Sequence, residues 1–249
     1  MRLQVLLLIN EEAWQMKLAI MQPYLFPYLG YFQLIYSADV FVIYDNIKYT
    51  KKGWINRNRI LSGNSDAMIS LPLKSDSDSL EIKDRRLATD YSPRKLLNQL
   101  RGAYGKAPHF SETYHLLERV FHFSNSNLFD FLHNSIVETC KHLEIKTEIK
   151  ISSEVTADHG LKSEDRVISI CRALNASTYV NAIGGTELYS RERFAENNLH
   201  LKFNKPKLFV YPQFGNEFVP WLSIIDVLMF NARDVVTLAL RENFELVNA

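Results

Sequence analysis

The stretch Leu18-Ala-Ile-Met-Gln-Pro-Tyr-Leu-Phe-Pro-Tyr-Leu-Gly-Tyr-Phe-Gln-Leu-Ile-Tyr-Ser-Ala-Asp-Val-Phe-Val-Ile-Tyr44 decides how the rest of this chain is read. Leu18–Met21 is a short apolar run of the kind that forms a buried strand. Val40–Tyr44, rich in β-branched and aromatic residues, reads as a second strand. Tyr31–Ser37 between them has a helical pattern, so the front of the chain is a strand–loop–helix–strand unit. Farther on, Ala67–Leu73 and Thr147–Ile151 read as strands and Glu164–Leu174 as a helix capped by Ser163. Thr178–Ala182 reads as a strand, Gly184-Gly185 as a turn and Leu188–Asn197 as a helix. His200–Phe203 and Leu208–Tyr211 read as strands, and Leu222–Asn231 as a helix. Strands alternating with helices predict an α/β fold with a mostly parallel sheet flanked by helices. Residues 92–143, where apolar positions step by three and four, form a helical insertion within a single α/β domain over 16–249.

The chain has 249 residues, with 29 Lys+Arg against 28 Asp+Glu and a formal net charge of +1. Near-neutral charge argues against a nucleic-acid partner and against a membrane-surface binder. No apolar run is long enough to span a bilayer, so membrane insertion is not expected. The apolar opening of residues 1–15 is followed by Glu11 and Glu12 and has no small-residue cleavage site. It reads as an extension ahead of a second start at Met16, which predicts a cytoplasmic protein. Cys140 and Cys171 fall in apolar helical patterns and read as core. The seven histidines form no His-Glu-x-x-His pattern, so no metal site is expected. Glycine-rich phosphate loops and the Gly-x-Ser-x-Gly elbow are absent from the sequence.

Four segments remain that carry chemistry. In open parallel sheets ligands bind at the carboxyl ends of the strands, which is where Gln22–Tyr31 lies. Pro23 and Pro27 stiffen that loop and Gly30 allows close backbone approach, while Gln22, Tyr24, Tyr28 and Tyr31 bring polar tips on apolar bodies. The N–H groups of the following helix suit a phosphate or carboxylate. The plain alternative is a Pro/Tyr loop packed over a sheet edge.

The second segment, Tyr44–Arg59, gathers Lys48, Lys51, Lys52, Arg57 and Arg59 among Asn46, Asn56 and Asn58. It reads equally as a phosphate-binding loop or as a solvated basic loop. Trp54 and the asparagines favour the former, and Asp45 would orient a hydroxyl or act as a base. Gly184 and Gly185 mark a third strand–helix junction, a site wall or simply a tight turn. Ser223 and Asp226 in an apolar helix need partners, Ser223 as a cap and Asp226 beside a structural Arg.

Taken in order, Met21–Tyr31, the run Tyr44–Arg59, Asn181–Tyr189 and Phe218–Asp226 resemble the WbqC-like protein family of bacterial polysaccharide loci. The resemblance runs from Met16 to about Asn231. It implies a role in lipopolysaccharide O-antigen synthesis, with acyl or aminoacyl (glycyl-type) transfer onto a nucleotide-linked amino sugar from a small acyl donor. Tyr28-Leu-Gly-Tyr31 is also distantly similar to the His-x-Gly-His loop of nucleotidylyltransferases and pantothenate synthetase, with tyrosines replacing both histidines. That likeness implies ATP as a cofactor and adenylation of a carboxylate as an alternative activity. A non-enzymatic sugar-nucleotide-binding protein is the third reading. On the transferase reading Asp45, Tyr28 and Tyr31 are the catalytic candidates. Gln22, Tyr24, Gly30, Lys51, Lys52, Trp54, Asn56, Arg57, Arg59, Gly184 and Gly185 would bind substrate. Neither sugar, donor nor oligomeric state is specified by these residues.

Overall fold

The structure, a computed structural model, describes residues 16–215 and 217–248, and the expected extension over 1–15 lies outside them. The chain enters through β1 (Lys17–Met21), α1 (Leu29–Tyr36) and β2 (Val40–Ile43). A hairpin, β3 (Arg57–Ser62) and β4 (Ser65–Ser70), follows. The helical insertion resolves into α2 (Pro93–Tyr104), α3 (Phe110–Phe121) and α4 (Leu128–His142). The alternation then resumes with β5 (Glu148–Ile151), α5 (Ser163–Ala173), β6 (Thr178–Ala182), α6 (Arg191–Glu196) and β7 (His200–Pro206). It closes with α7 (Ile224–Phe230), α8 (Arg233–Glu242) and β8 (Phe244–Asn248).

Six strands form one sheet in the order β5-β2-β1-β6-β7-β8. Every neighbouring pair is parallel except β7 with β8. The fold is thus α/β with a mostly parallel sheet, as the alternation predicts. Counted in chain order the six strands run 3-2-1-4-5-6, so connections leave to opposite sides at the β1/β6 boundary, a topological switch point. Side-chain alternation along each strand separates two cores. Leu18, Ile20, Val40 and Val42 face α5 and α6 with Tyr179, Phe194 and Phe203. Ala19, Phe41 and Ile43 face α1 and the remaining helices. Cys140 and Cys171 are both buried in these cores, and burial pushes each thiol up to about 12. Among the described residues, no helix is long and apolar enough to cross a membrane.

Several boundaries differ from the sequence reading. Leu208–Tyr211 is not a strand, because the free edge of β7 is taken by β8 and Lys207 N–H bonds Asn243 C=O instead. Gly184-Gly185 belongs to a 3-10 segment, Ile183–Leu188, and the helix after it begins only at Arg191, where the Ser190 hydroxyl accepts from Arg193 N–H. Ser163 does not cap α5: it is the helix's first residue, at φ 47°, and Lys162 holds the cap position. The expected strand Ala67–Leu73 pairs as Ser65–Ser70 with β3, so the end of the basic segment is strand rather than loop.

Candidate functional site

At the switch point, β1 runs into the Gln22–Tyr28 loop and β6 into the Ile183–Leu188 turn. The mouth between them is an open cleft lined by Gln22, Tyr24, Tyr28, Tyr44, Asn181 and Tyr189 together with Gly30, Gly184 and Gly185. A second open cleft shares Tyr24, Tyr28 and Trp54 with the first. Arg59, Lys205, Pro206 and Trp221 complete its wall.

The loop that divides these clefts is held from three directions. Leu25 N–H donates to Ile55 C=O at 3.0 Å. The buried Asn58 amide donates to the carbonyls of Leu25 (2.9 Å) and Phe26 (2.8 Å). The Ser223 hydroxyl donates to Phe26 C=O at 2.7 Å, and Ile224 N–H to Pro27 C=O at 2.9 Å. These bonds hold Phe26 at φ 40° and, beside them, Trp221 at φ 58°. Bulky residues adopt that left-handed backbone only when their surroundings over-determine it. Gly30 is needed for a different reason: a Cβ there would overlap the Tyr28 ring and stand 2.6 Å from Pro206 Cγ. A Cβ at Gly185 would likewise overlap the Asn181 amide.

Polar groups in the switch-point cleft are neutral. Gln22 Nε2 donates to the Tyr24 phenol at 2.6 Å, and the Tyr31 phenol donates to Gln22 C=O at 3.1 Å. Burial raises the phenols of Tyr24, Tyr28, Tyr44 and Tyr189 above their ordinary value, and that of Tyr31 well above it. All five therefore keep their protons at neutral pH and act as hydrogen-bond donors. Among the described residues, no carboxylate, imidazole or thiol lines either cleft. Charge comes only from Arg59 and Lys205, both in the second cleft.

The sequence candidates divide accordingly. Gln22, Tyr24, Tyr28, Gly30, Tyr31, Trp54, Arg59, Gly184 and Gly185 line one cleft or both. Tyr31 is nearly buried and its hydroxyl is engaged by Gln22. Asp45 is buried outside the cleft walls, its carboxylate accepting from Ser153 N–H at 2.9 Å and Ser153 Oγ at 2.5 Å. Lys51 pairs with Asp78 at 2.7 Å, and Lys52 is exposed on the same turn. Asn56 accepts from the Tyr49 phenol and donates to Leu71 C=O, while Arg57 Nε donates to Gly53 C=O. Of the four cations proposed for phosphates, Arg59 alone reaches a cleft. Sequence reasoning missed Lys205 and Trp221. Lys205 would have emerged by extending β7 past Phe203, since it then sits at the carboxyl end of a parallel strand.

Asp226 is also reassigned. Its partner is not an arginine: the buried carboxylate accepts from the Tyr104 phenol (2.8 Å), the Tyr211 phenol (2.7 Å) and Gln213 Nε2 (2.7 Å). Burial raises its carboxyl above the usual range even though three donors face it. Gln213 in turn accepts from Val219 N–H at 2.7 Å and donates to Val219 C=O at 3.2 Å, which closes the loop that delivers Trp221 to the second cleft. Ser223 caps α7 as expected, accepting from Ile225 N–H.

These contacts join segments that are far apart in the chain, and the comparisons with known proteins span the same segments. The model of the WbqC-like protein family matches residues 22–237. The uncharacterised protein Rv1507c of Mycobacterium tuberculosis is 28% identical over 219 residues, which cover 86% of this chain and 93% of that protein. No solved structure matches the chain significantly. With Gln22, Asn58, Ser223 and Asp226 all inside the matched span, the chain belongs to the WbqC-like protein family.

Proposed function

We propose that this protein transfers a small acyl or aminoacyl group onto the amine of a nucleotide-linked amino sugar during surface-polysaccharide synthesis, with the sugar held in the switch-point cleft. The observation that carries this reading is the lining of that cleft. Gln22, Asn181 and the phenols of Tyr24, Tyr28, Tyr44 and Tyr189 offer neutral donors and acceptors beside aromatic faces. That combination suits the hydroxyls and apolar face of a sugar ring. In the reaction, the sugar nitrogen bonds to the acyl carbonyl carbon while that carbon's bond to the donor's sulfur or oxygen breaks. The electron pair leaves with the donor, and the amine proton passes to solvent. With no base on the cleft walls, the amine enters unprotonated, and the Tyr28 phenol stabilises the oxyanion. Tyr31 and Asp45 act at one remove: Tyr31 holds the Gln22 backbone, and Asp45 fixes the turn after β2.

The lack of a carboxylate, imidazole or thiol on the cleft walls among the described residues favours a second reading, a binding protein of the same pathway without turnover. A thermal-shift screen against nucleotide-linked amino sugars, ATP and acyl thioesters tests both. A ligand at a hundredfold its Kd adds about 2.7 kcal/mol. Stabilisation by a nucleotide-linked amino sugar, followed by an acylated product in the mass spectrum, establishes the transfer. Stabilisation without product leaves the binding reading, and stabilisation by ATP alone replaces both with nucleotidyl transfer.

A further inference from the structure

The second cleft is chemically unlike the first. Its two cations stand among exposed indoles: Trp54 is 42% and Trp221 48% exposed, where large apolar residues are normally covered. Trp221 is held at a strained φ of 58°, its backbone carbonyl accepts from Arg59 Nη2 at 3.3 Å, and its indole meets the Tyr28 ring edge-on with centroids 6.1 Å apart. A long 3.6 Å contact with Asp66 also orients Arg59 and leaves N–H groups to spare. Lys205, exposed at the end of β7, has no carboxylate within ion-pair distance among the described residues. Arg59 meets Asp66 only at 3.6 Å, and Lys205 stands across the β7/β8 register from Glu245 outside ion-pair distance, so both keep donors for an anion beside planar aromatic faces, a combination that suits an anionic, planar ligand.

We infer that the second cleft binds a nucleoside diphosphate, its phosphates on Arg59 and Lys205 and its base against Trp54 or Trp221. This rests on the sugar reading above only for what adjoins it: the shared wall of Tyr24, Tyr28 and Trp54 lets one ligand extend from the diphosphate here to a sugar in the switch-point cleft. The protein therefore takes its substrate with the nucleotide outside the switch point rather than in it.

The probe is uridine 5′-diphosphate, titrated against tryptophan fluorescence and by calorimetry, with ADP as a second base. UDP quenches the fluorescence and binds more weakly as salt rises. Lys205→Gln, at an exposed position that leaves folding intact, raises the UDP Kd roughly tenfold, as does Arg59→Gln. Trp221→Leu weakens binding and removes part of the quench. UDP binding that is indifferent to both Lys205→Gln and Trp221→Leu overturns the inference. So does a protein that binds a UDP-linked amino sugar yet neither binds UDP nor is competed by it, a result that leaves the sugar reading standing. If UDP binds as expected and the attached amino sugar adds no affinity, the sugar reading fails and this inference survives.

Discussion

Removing the Asp226 carboxylate is the sharpest test of how this site is supported. The residue is fully buried, and Tyr104, Tyr211 and Gln213 all aim donors at it. Asp226→Ala strands all three. A buried donor left without an acceptor costs about 1–3 kcal/mol. Removing a desolvated charge and admitting water to the gap recover part of that, so the net loss is about 3–5 kcal/mol. With a urea m-value of about 3 kcal/mol/M, the unfolding midpoint falls by about 1–1.7 M. Asp226→Asn separates the need for acceptors from the need for charge. Its amide oxygen, placed at the Oδ2 position, still serves Tyr211 and Gln213. The NH₂ then meets Tyr104, whose oxygen already accepts from Leu61 N–H at 2.8 Å. One donor is stranded instead of three, and the loss drops to about 1–2 kcal/mol. Urea denaturation followed by fluorescence and circular dichroism measures both variants. An Asp226→Ala midpoint within about 0.2 M of the parent, a loss of about 0.6 kcal/mol, would refute the argument that these bonds hold the element. Equal losses for Ala and Asn would show that charge, not acceptor count, is what the cluster requires.

Three further outcomes follow from particular contacts. Gly30→Ala forces a methyl group against the Tyr28 ring and Pro206, so it lowers stability by about 1–3 kcal/mol and distorts the wall common to both clefts; an unchanged Tm in differential scanning calorimetry would contradict this. Asn58→Ala leaves the Leu25 and Phe26 carbonyls short of a donor and releases the 22–28 loop at a cost of about 2 kcal/mol, detected as new cleavage there in limited proteolysis. His133 and His142 are held below their ordinary value of 6.5, chiefly by burial, so the unfolded chain takes up their protons first as pH falls. Stability therefore declines as pH drops through 6.5 and levels off below the lowered native values. Urea midpoints at about pH 7.5 and 5.5 should show this decline, and His133→Asn/His142→Asn should flatten it.

The two leading strands were legible because the buried residues of each, Leu18–Ile20 and Val40–Ile43, form an unbroken apolar run. β2, Val40–Ile43, is buried at every residue. β3 was illegible for the opposite reason. Between the half-exposed Arg57 and Arg59 its inward position is Asn58, a polar residue that no hydrophobic pattern places inside. Asn58 is buried because the Leu25 and Phe26 carbonyls need its donors, a demand created by a loop some 30 residues earlier. Leu208–Tyr211 misled in the reverse direction. Phe209 and Tyr211 pack inward while Leu208 and Val210 are exposed, so the alternation of a strand is present without a partner strand. Pairing depends on which segment reaches the edge of β7 first, and that is β8, more than 30 residues later.

The site divides along the same line. That Gln22–Tyr31 stands at the mouth of the sheet follows from its position after β1, because topology alone sends the carboxyl ends of parallel strands to one side. Which basic residues face that mouth does not follow from their clustering. Within Lys48–Arg59 the cations are sorted by tertiary partners: Asp78 draws Lys51 away, the Gly53 carbonyl holds Arg57, and the hairpin pairing of β3 with β4 leaves Arg59 turned toward Trp221. Lys205 enters from another strand altogether. Charge density along a chain thus measures how much cation is available, whereas backbone register determines where it is delivered. The Asp226 cluster makes the same point for support: Tyr104 is 122 residues away, and only the packing of α2 against α7 and β3 makes a lone carboxylate in an apolar helix the anchor of the loop that carries Trp221.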